Sequence, residues 1–188
     1  MKTRPLAFFV HCTGGSPDET FFPWLARELE KMDFTVTAPQ FPTPFGQNLK
    51  NWMEVAEPYL KTFDENTILM GRSIGAPFVL RLLEKAPKPV GGAFLVASFC
   101  SFPIMEQFVP LVGSFVREPF DWKKIRKNCK NFFVYHSDND PYLPLEKGEE
   151  VAEGVGVKVT LVKGAEHFGL TRGFTKFPLL LKDIKSIL

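Results

Sequence analysis

Short apolar runs alternate along the chain with stretches whose apolar residues recur every three to four positions. Leu6–Val10, Phe34–Ala38, Thr67–Met70, Ala93–Ala97, Phe132–Tyr135 and Val157–Val162 read as strands. Between them, Phe22–Met32 carries Leu25, Leu29 and Met32 at helical spacing, and Leu49, Trp52, Met53, Ala56, Leu60 and Phe63 share one face of a longer helix. A further helix spans Ile74–Ala86, closed by Pro87 and Pro89, and another covers Glu146–Val151. The chain ends on one more helical face, from Phe177 to Leu188. Strands separated by helices are joined by crossovers and run parallel, and strands that are apolar throughout belong to a sheet covered on both faces. The expectation is an α/β fold in one domain over 1–188: a doubly wound, mainly parallel, six-stranded sheet with helices on both sides. Such sheets bind ligands at the carboxyl ends of their strands. The loops after the first, third, fifth and sixth strands are therefore where chemistry is expected.

One segment breaks the rhythm. Ser98–Asp121 is rich in Phe and other large apolar residues, follows no single period throughout, and is divided by Pro103 and Pro110. It is too long for a plain connector.

Composition narrows the class. Hydrophobic residues make up 45% and charged residues 23% of the 188, which excludes disorder as the main state. A net charge of +2 gives no polyanion-binding surface, so no nucleic-acid partner is expected. The 20 Phe against 3 Trp and 3 Tyr suggest apolar surfaces facing a core, a lid or an apolar ligand. Cys12, Cys100 and Cys129 cannot all pair and show no metal-ligand spacing with the three histidines, so a reducing compartment and no metal are expected. The N-terminal apolar stretch lacks the length and cleavage site of a signal peptide, and no run approaches the 18 residues of a membrane span. A cytoplasmic location follows as an expectation; no pattern speaks to oligomeric state.

After the third strand stands Gly71-Arg72-Ser73-Ile74-Gly75, then a helix. This G-x-S-x-G in a strand–turn–helix context is the pattern that exposes a nucleophilic serine on a sharp turn, with small residues two positions to either side. The Ile74 N–H would then face a developing oxyanion at the helix N-terminus. The competing reading is a helix-capping turn. A serine nucleophile needs a base. His11, His136 and His167 all fall at the carboxyl edge, and His167 alone follows the last strand and precedes the final helix, with Gly164 and Gly169 to let its loop swing. The order Ser, acid, His of α/β-hydrolases selects it. The acid comes from Ser137-Asp138-Asn139-Asp140-Pro141-Tyr142-Leu143-Pro144. Asp140 is favoured, because its spacing to Leu143-Pro144 matches the usual D-x-x-V-P form of this loop; Asp138 is the rival, suited to an Asx-type turn. The loop His11-Cys12-Thr13-Gly14-Gly15 would supply the second oxyanion donor, Thr13 or else Cys12. It lacks the fingerprint of a phosphate-binding loop, so no nucleotide cofactor is expected.

These residues, in this order on so short an α/β chain, resemble the small serine hydrolases related to retinoblastoma-binding protein nine and their bacterial homologues. The resemblance rests on His11–Gly15 with Trp24 in the helix beyond it, Leu69–Gly75, Phe120–Arg126 before the fifth strand, Ser137–Pro144 and Glu166–Phe168. It implies a minimal α/β-hydrolase core with strand order 2-1-3-4-5-6, and it points to Asp140 as the acid. Arg72 departs from the histidine common at its position; its charge suits an acidic substrate or a neighbouring carboxylate. The combined expectation is a serine hydrolase of carboxylic esters or related small acyl substrates, working without cofactor through Ser73, His167 and Asp140, with Thr13 and Ile74 N–H groups on the oxyanion. The 98–121 segment would cap the site, with Phe102 and Phe108 lining an acyl pocket, or else extend the core. The alternative function is a non-catalytic binding module on the same fold.

Overall fold

The computed structural model describes residues 4–102, 105–169 and 173–188. Six strands, β1 (Leu6–Val10), β2 (Thr35–Thr37), β3 (Thr67–Arg72), β4 (Gly92–Val96), β5 (Phe132–His136) and β6 (Val159–Leu161), form one sheet in the order β2-β1-β3-β4-β5-β6. All five pairings are parallel. Among the described residues seven helices accompany them: α1 (Phe22–Glu30), α2 (Leu49–Leu60), α3 (Gly75–Lys85), α4 (Val109–Val116), α5 (Trp122–Lys127), α6 (Leu145–Val155) and α7 (Pro178–Lys185). The expected fold class and strand order are both present.

Successive strand residues point to opposite faces, and here both faces are buried. Phe8, Val10, Leu69, Ala93 and Leu95 face one core, with Trp52 of α2, most of α3 and Phe115 of α4. Phe9, Ile68, Met70, Phe94 and Val96 face the other, with Leu25 and Leu29 of α1 and Leu180 and Ile184 of α7. This explains why the strands read as unbroken apolar runs. The edge strands β2 and β6 are three residues each, shorter than the five and six residues their apolar runs suggest; a short edge leaves few unpaired backbone groups.

Helix ends follow local chemistry. Asn48 and Asp121 each accept a hydrogen bond from the N–H three residues on, starting α2 and α5. α6 runs past the expected Val151 to Gly156, whose φ of +82° ends it in the left-handed conformation. α2 stops at Leu60, short of Phe63, although Phe63 is still buried in the core.

The 98–121 segment contains α4, preceded by a 3-10 turn at Glu106–Phe108. Val112, Gly113, Phe115 and Val116 of α4 are buried. The buried Arg81 of α3 binds the segment's end: it donates to Phe115 O at 3.0 Å and to Glu118 O, and its guanidinium lies 3.8 Å from the Phe120 ring centroid. Pro103 and Ile104 lie outside the described residues. Among the described residues no helix is long and apolar enough to cross a membrane.

Candidate active site

Strand β3 ends in a turn that few residues can make. Ser73 sits at φ +55°, in the left-handed region that disfavours a side chain. A Cβ on Gly71 would stand 2.3 Å from Gly75 O, and one on Gly75 would stand 2.3 Å from Val10 O of β1. Both glycines are therefore required by backbone contact, and α3 starts hard against the sheet. Ser73 N–H donates to Val96 O (2.9 Å), and Ser73 O accepts from Ala76 N–H (2.9 Å). The serine hydroxyl is left at the sheet's carboxyl edge, beside the start of α3. Ile74 is the N-cap of that helix, so its N–H is one of the groups a helix start leaves without an intrahelical carbonyl.

Ser73 Oγ is 2.9 Å from His167 Nε2, and His167 Nδ1 is 2.7 Å from Asp140 Oδ2. The structure thus brings together the serine, the histidine and the favoured aspartate from the loops after β3, β6 and β5. The second Asp140 oxygen accepts from Tyr142 N–H (2.9 Å) and Leu143 N–H (3.1 Å). The Asx-type turn expected at Asp138 is thus made by Asp140. Asp138 instead accepts from Gly164 N–H (2.8 Å), and Asn139 from Glu166 N–H (2.9 Å), so the acid loop holds the histidine loop. The bend around His167 is made by Glu166 (φ +47°) and Phe168 (φ +53°), with Gly164 (φ +68°) before them; Gly169 is not in the left-handed region.

Burial pushes His167 below its ordinary 6.5, against the opposing pull of Asp140; Arg72 and His136 lower it further. Burial pushes Asp140 up, but the hydrogen bond and charge of His167 and the two backbone N–H groups outweigh it and leave the carboxyl below its ordinary 3.8. A neutral imidazole that donates from Nδ1 to a carboxylate presents a free Nε2 lone pair to the serine hydroxyl.

The other two histidines brace loops. His11 is buried, with Nδ1 at 2.9 Å from Cys12 O, and Nε2 accepts from Phe41 N–H at 2.9 Å. His136 Nε2 lies 3.0 Å from Leu143 O. A Cβ on Gly148 would come within 2.5 Å of the His136 ring, so α6 packs directly on that imidazole.

A cavity of about 310 Å³ opens beside Ser73. Ser73, His167, Cys12, Thr13 and Arg72 form its polar side; Phe99, Phe108, Val112, Tyr142 and Leu143 form its apolar side. Phe108 is where the sequence places it. Phe102 is not: it is 42% exposed, and its ring lies over Gly113 on α4, 3.4 Å from where a Cβ would stand. Phe99, Phe115, Phe120, Val112 and Val116 are buried in the core. The 98–121 segment therefore contributes both to the core and to the wall of the cavity, with Phe99 and Val112 in both. Arg72 faces no carboxylate within 4.0 Å among the described residues. Its Nε and Nη2 donate to His167 O (3.2 and 2.8 Å), and its Nη1 to Cys12 Sγ (2.9 Å).

Two residues of the site escape sequence reasoning. The Tyr142 ring stands edge-on to His167 at 5.1 Å and to Phe108 at 5.9 Å. Its only signal is its place two residues after Asp140. Gln47, 6% exposed, donates to Thr13 Oγ1 (2.9 Å) and to Leu111 O of α4 (2.8 Å), and accepts from Thr43 Oγ1 (2.6 Å). Thr43 Oγ1 in turn accepts from Gly14 N–H at 2.6 Å. Nothing in the residues around Gln47 signals this.

The sheet order, the strained serine turn and the neighbouring histidine define a hydrolase of the α/β-hydrolase fold. The chain belongs to the serine hydrolase family, whose model matches residues 7–186. It is 30% identical over 191 residues to the serine hydrolase RBBP9 of Rattus norvegicus, covering 100% of this chain and 98% of that protein. It is 28% identical over 182 residues to YdeN of Bacillus subtilis (strain 168), covering 95% and 94%. The crystal structure of the B. subtilis ydeN gene product superposes with a TM-score of 0.90 at 26% identity, covering 97% of this chain and 98% of that one. The resemblance to this family and its bacterial members extends along the whole chain.

Proposed function

We propose that this serine hydrolase cleaves carboxylic esters, or related small acyl compounds, through an acyl-enzyme. The observation that carries the reading is the unbroken relay from Ser73 Oγ through His167 to Asp140, at 2.9 and 2.7 Å. Ser73 Oγ attacks the ester carbonyl carbon while His167 Nε2 takes the hydroxyl proton. The electron pair moved onto the carbonyl oxygen is held by the N–H groups of Ile74 and Thr13. Asp140 keeps the imidazole in the correct tautomer and faces the imidazolium. On collapse the carbon–oxygen bond to the alcohol breaks, and His167 returns its proton to the leaving oxygen. Water, deprotonated by His167, then attacks the acyl-enzyme and frees the acid and Ser73.

The acyl group fits the apolar side of the cavity, under a cap formed by the 98–121 segment. At about 310 Å³ this cavity sits at the small end of ligand pockets, which favours a small acyl group. Cys12 is a poor rival nucleophile: both ring nitrogens of the adjacent His11 are turned to the backbone, Nδ1 to the Cys12 carbonyl and Nε2 to the Phe41 N–H, so neither serves the thiol as a base. Three free cysteines suit a reducing compartment, and a cytoplasmic enzyme is the reading they support.

Labelling with a fluorophosphonate tests this. The reagent is expected on Ser73 in the wild-type chain, and Ser73→Ala is expected to lose both label and p-nitrophenyl acetate turnover. A residual rate on the order of 10³–10⁴ over water is the most that binding and the oxyanion donors would leave. Label on another residue, or unchanged turnover in Ser73→Ala, would remove the assignment.

A further inference from the structure

The geometry of the serine turn does not demand an arginine at position 72. The two glycines are set by backbone approach and Ser73 by its position, but position 72 needs only to end β3. It nevertheless carries a long cation that is 7% exposed and lies on the wall of the cavity. A buried cation is costly unless its donors are used. Here they are used on neutral acceptors: two donors on one carbonyl, that of His167, and a third on the Cys12 sulfur. Those contacts join the loop after β6 and the loop after β1 to the residue adjoining Ser73.

We propose that Arg72 is a positioning residue: its guanidinium clamps the main chain of His167 against the oxyanion loop and so fixes where the imidazole stands relative to Ser73. The proposal rests on the Ser73–His167–Asp140 reading. The planar fork is what suits arginine to the task, since two parallel N–H groups converge on a single oxygen while a third reaches sideways. A lysine ammonium in its place keeps the charge and loses that geometry. The residue whose charge suits an acidic substrate or a neighbouring carboxylate has its guanidinium turned to protein acceptors on two sides.

The charge has a separate consequence. The groups that bear on His167 are Asp140, which favours its proton, and Arg72 and His136, which oppose it. Removing the Arg72 charge should therefore raise the pH at which His167 loses its proton.

Arg72→Lys and Arg72→Met separate the two effects, with p-nitrophenyl acetate as neutral probe and 4-carboxyphenyl acetate as anionic probe. Both variants are expected to lose about 10- to 100-fold in kcat on both probes, the scale expected for a reacting group displaced by about 1 Å. KM should change little. The acid limb of kcat/KM should move to higher pH in Arg72→Met and stay in place in Arg72→Lys. Unchanged kcat in either variant would overturn the proposal. A loss confined to KM for the anionic probe would overturn it too, and would make Arg72 a substrate-binding residue. Should Arg72→Met fail to fold, Arg72→Lys, checked by thermal melting, decides between these outcomes through kcat and KM alone. The Ser73→Ala labelling result stands apart: if that fails the triad reading fails, whereas normal Arg72 variants beside a reactive Ser73 sink only this inference.

Discussion

Asp138 and Asp140 lie two positions apart, and both reach the histidine loop. Asp140 touches the imidazole itself, whereas Asp138 touches only the Gly164 N–H. Asp140→Asn is expected to keep the fold and to cut kcat on the order of 10⁴, because an amide can hold His167 in the wrong tautomer. Asp138→Asn should cost far less, since its amide oxygen can still accept from Gly164. Steady-state kinetics on the two variants checks this, and the reverse order would exchange their roles. At this scale the residues to which the reaction is assigned are legible in the sequence because a turn of that strain tolerates few residues and because fold topology orders the rest. What braces them is not legible. A glutamine in an irregular stretch, such as Gln47, or a carbonyl as the partner of Arg72, leaves no periodicity and no motif, since both depend on which loops the sheet brings side by side.

The elements repeat this contrast. Five of the helices and all six strands are visible as patterns because each buries one stripe or a whole run. α4 is not, since Val109–Val116 is apolar on nearly every side and so presents no preferred face to a periodicity argument. Its burial is correspondingly mixed, and single substitutions divide it. Phe115 is fully buried and packs edge-on to Trp52 at 5.0 Å. Phe115→Ala is expected to cost about 3–5 kcal/mol in denaturant unfolding, the usual loss for a core phenylalanine. Phe108→Ala, on the cavity wall, should unfold near the wild-type midpoint yet shift preference along a series of p-nitrophenyl esters from acetate to octanoate. Phe102→Ala should do neither. A stability loss at Phe108 equal to that at Phe115, with no change in chain-length preference, would place the acyl group elsewhere.

Across the whole molecule the shifted groups at the active edge lean the same way. His11 and His167 are held below 6.5, chiefly by burial, and Asp140 ends below 3.8. Each binds its proton more readily when the chain is unfolded, so stability rises with pH through these windows and is lost on acidification. The denaturation midpoint is expected to fall as pH drops below about 6.5, where unfolded histidines gain protons that the native ones refuse, and again below about 3.8 as Asp140 is neutralised. The kcat/KM profile should rise along an acid limb whose pKa lies below 6.5, then level off. A midpoint that climbs between pH 7 and pH 5 would contradict the burial of these rings. Gln47 carries a consequence of another kind. Its hydrogen bonds reach Thr13, Thr43 and the backbone of α4 together, so the segment proposed as the cap is not an interchangeable module. Grafting a relative's cap onto this chain, or trimming α4 to widen the pocket, would have to return an acceptor where Leu111 O now stands. Otherwise the swap would loosen the Thr13 loop along with α4, and, where that loop supplies an oxyanion donor as proposed, an altered substrate range would come with a lower rate.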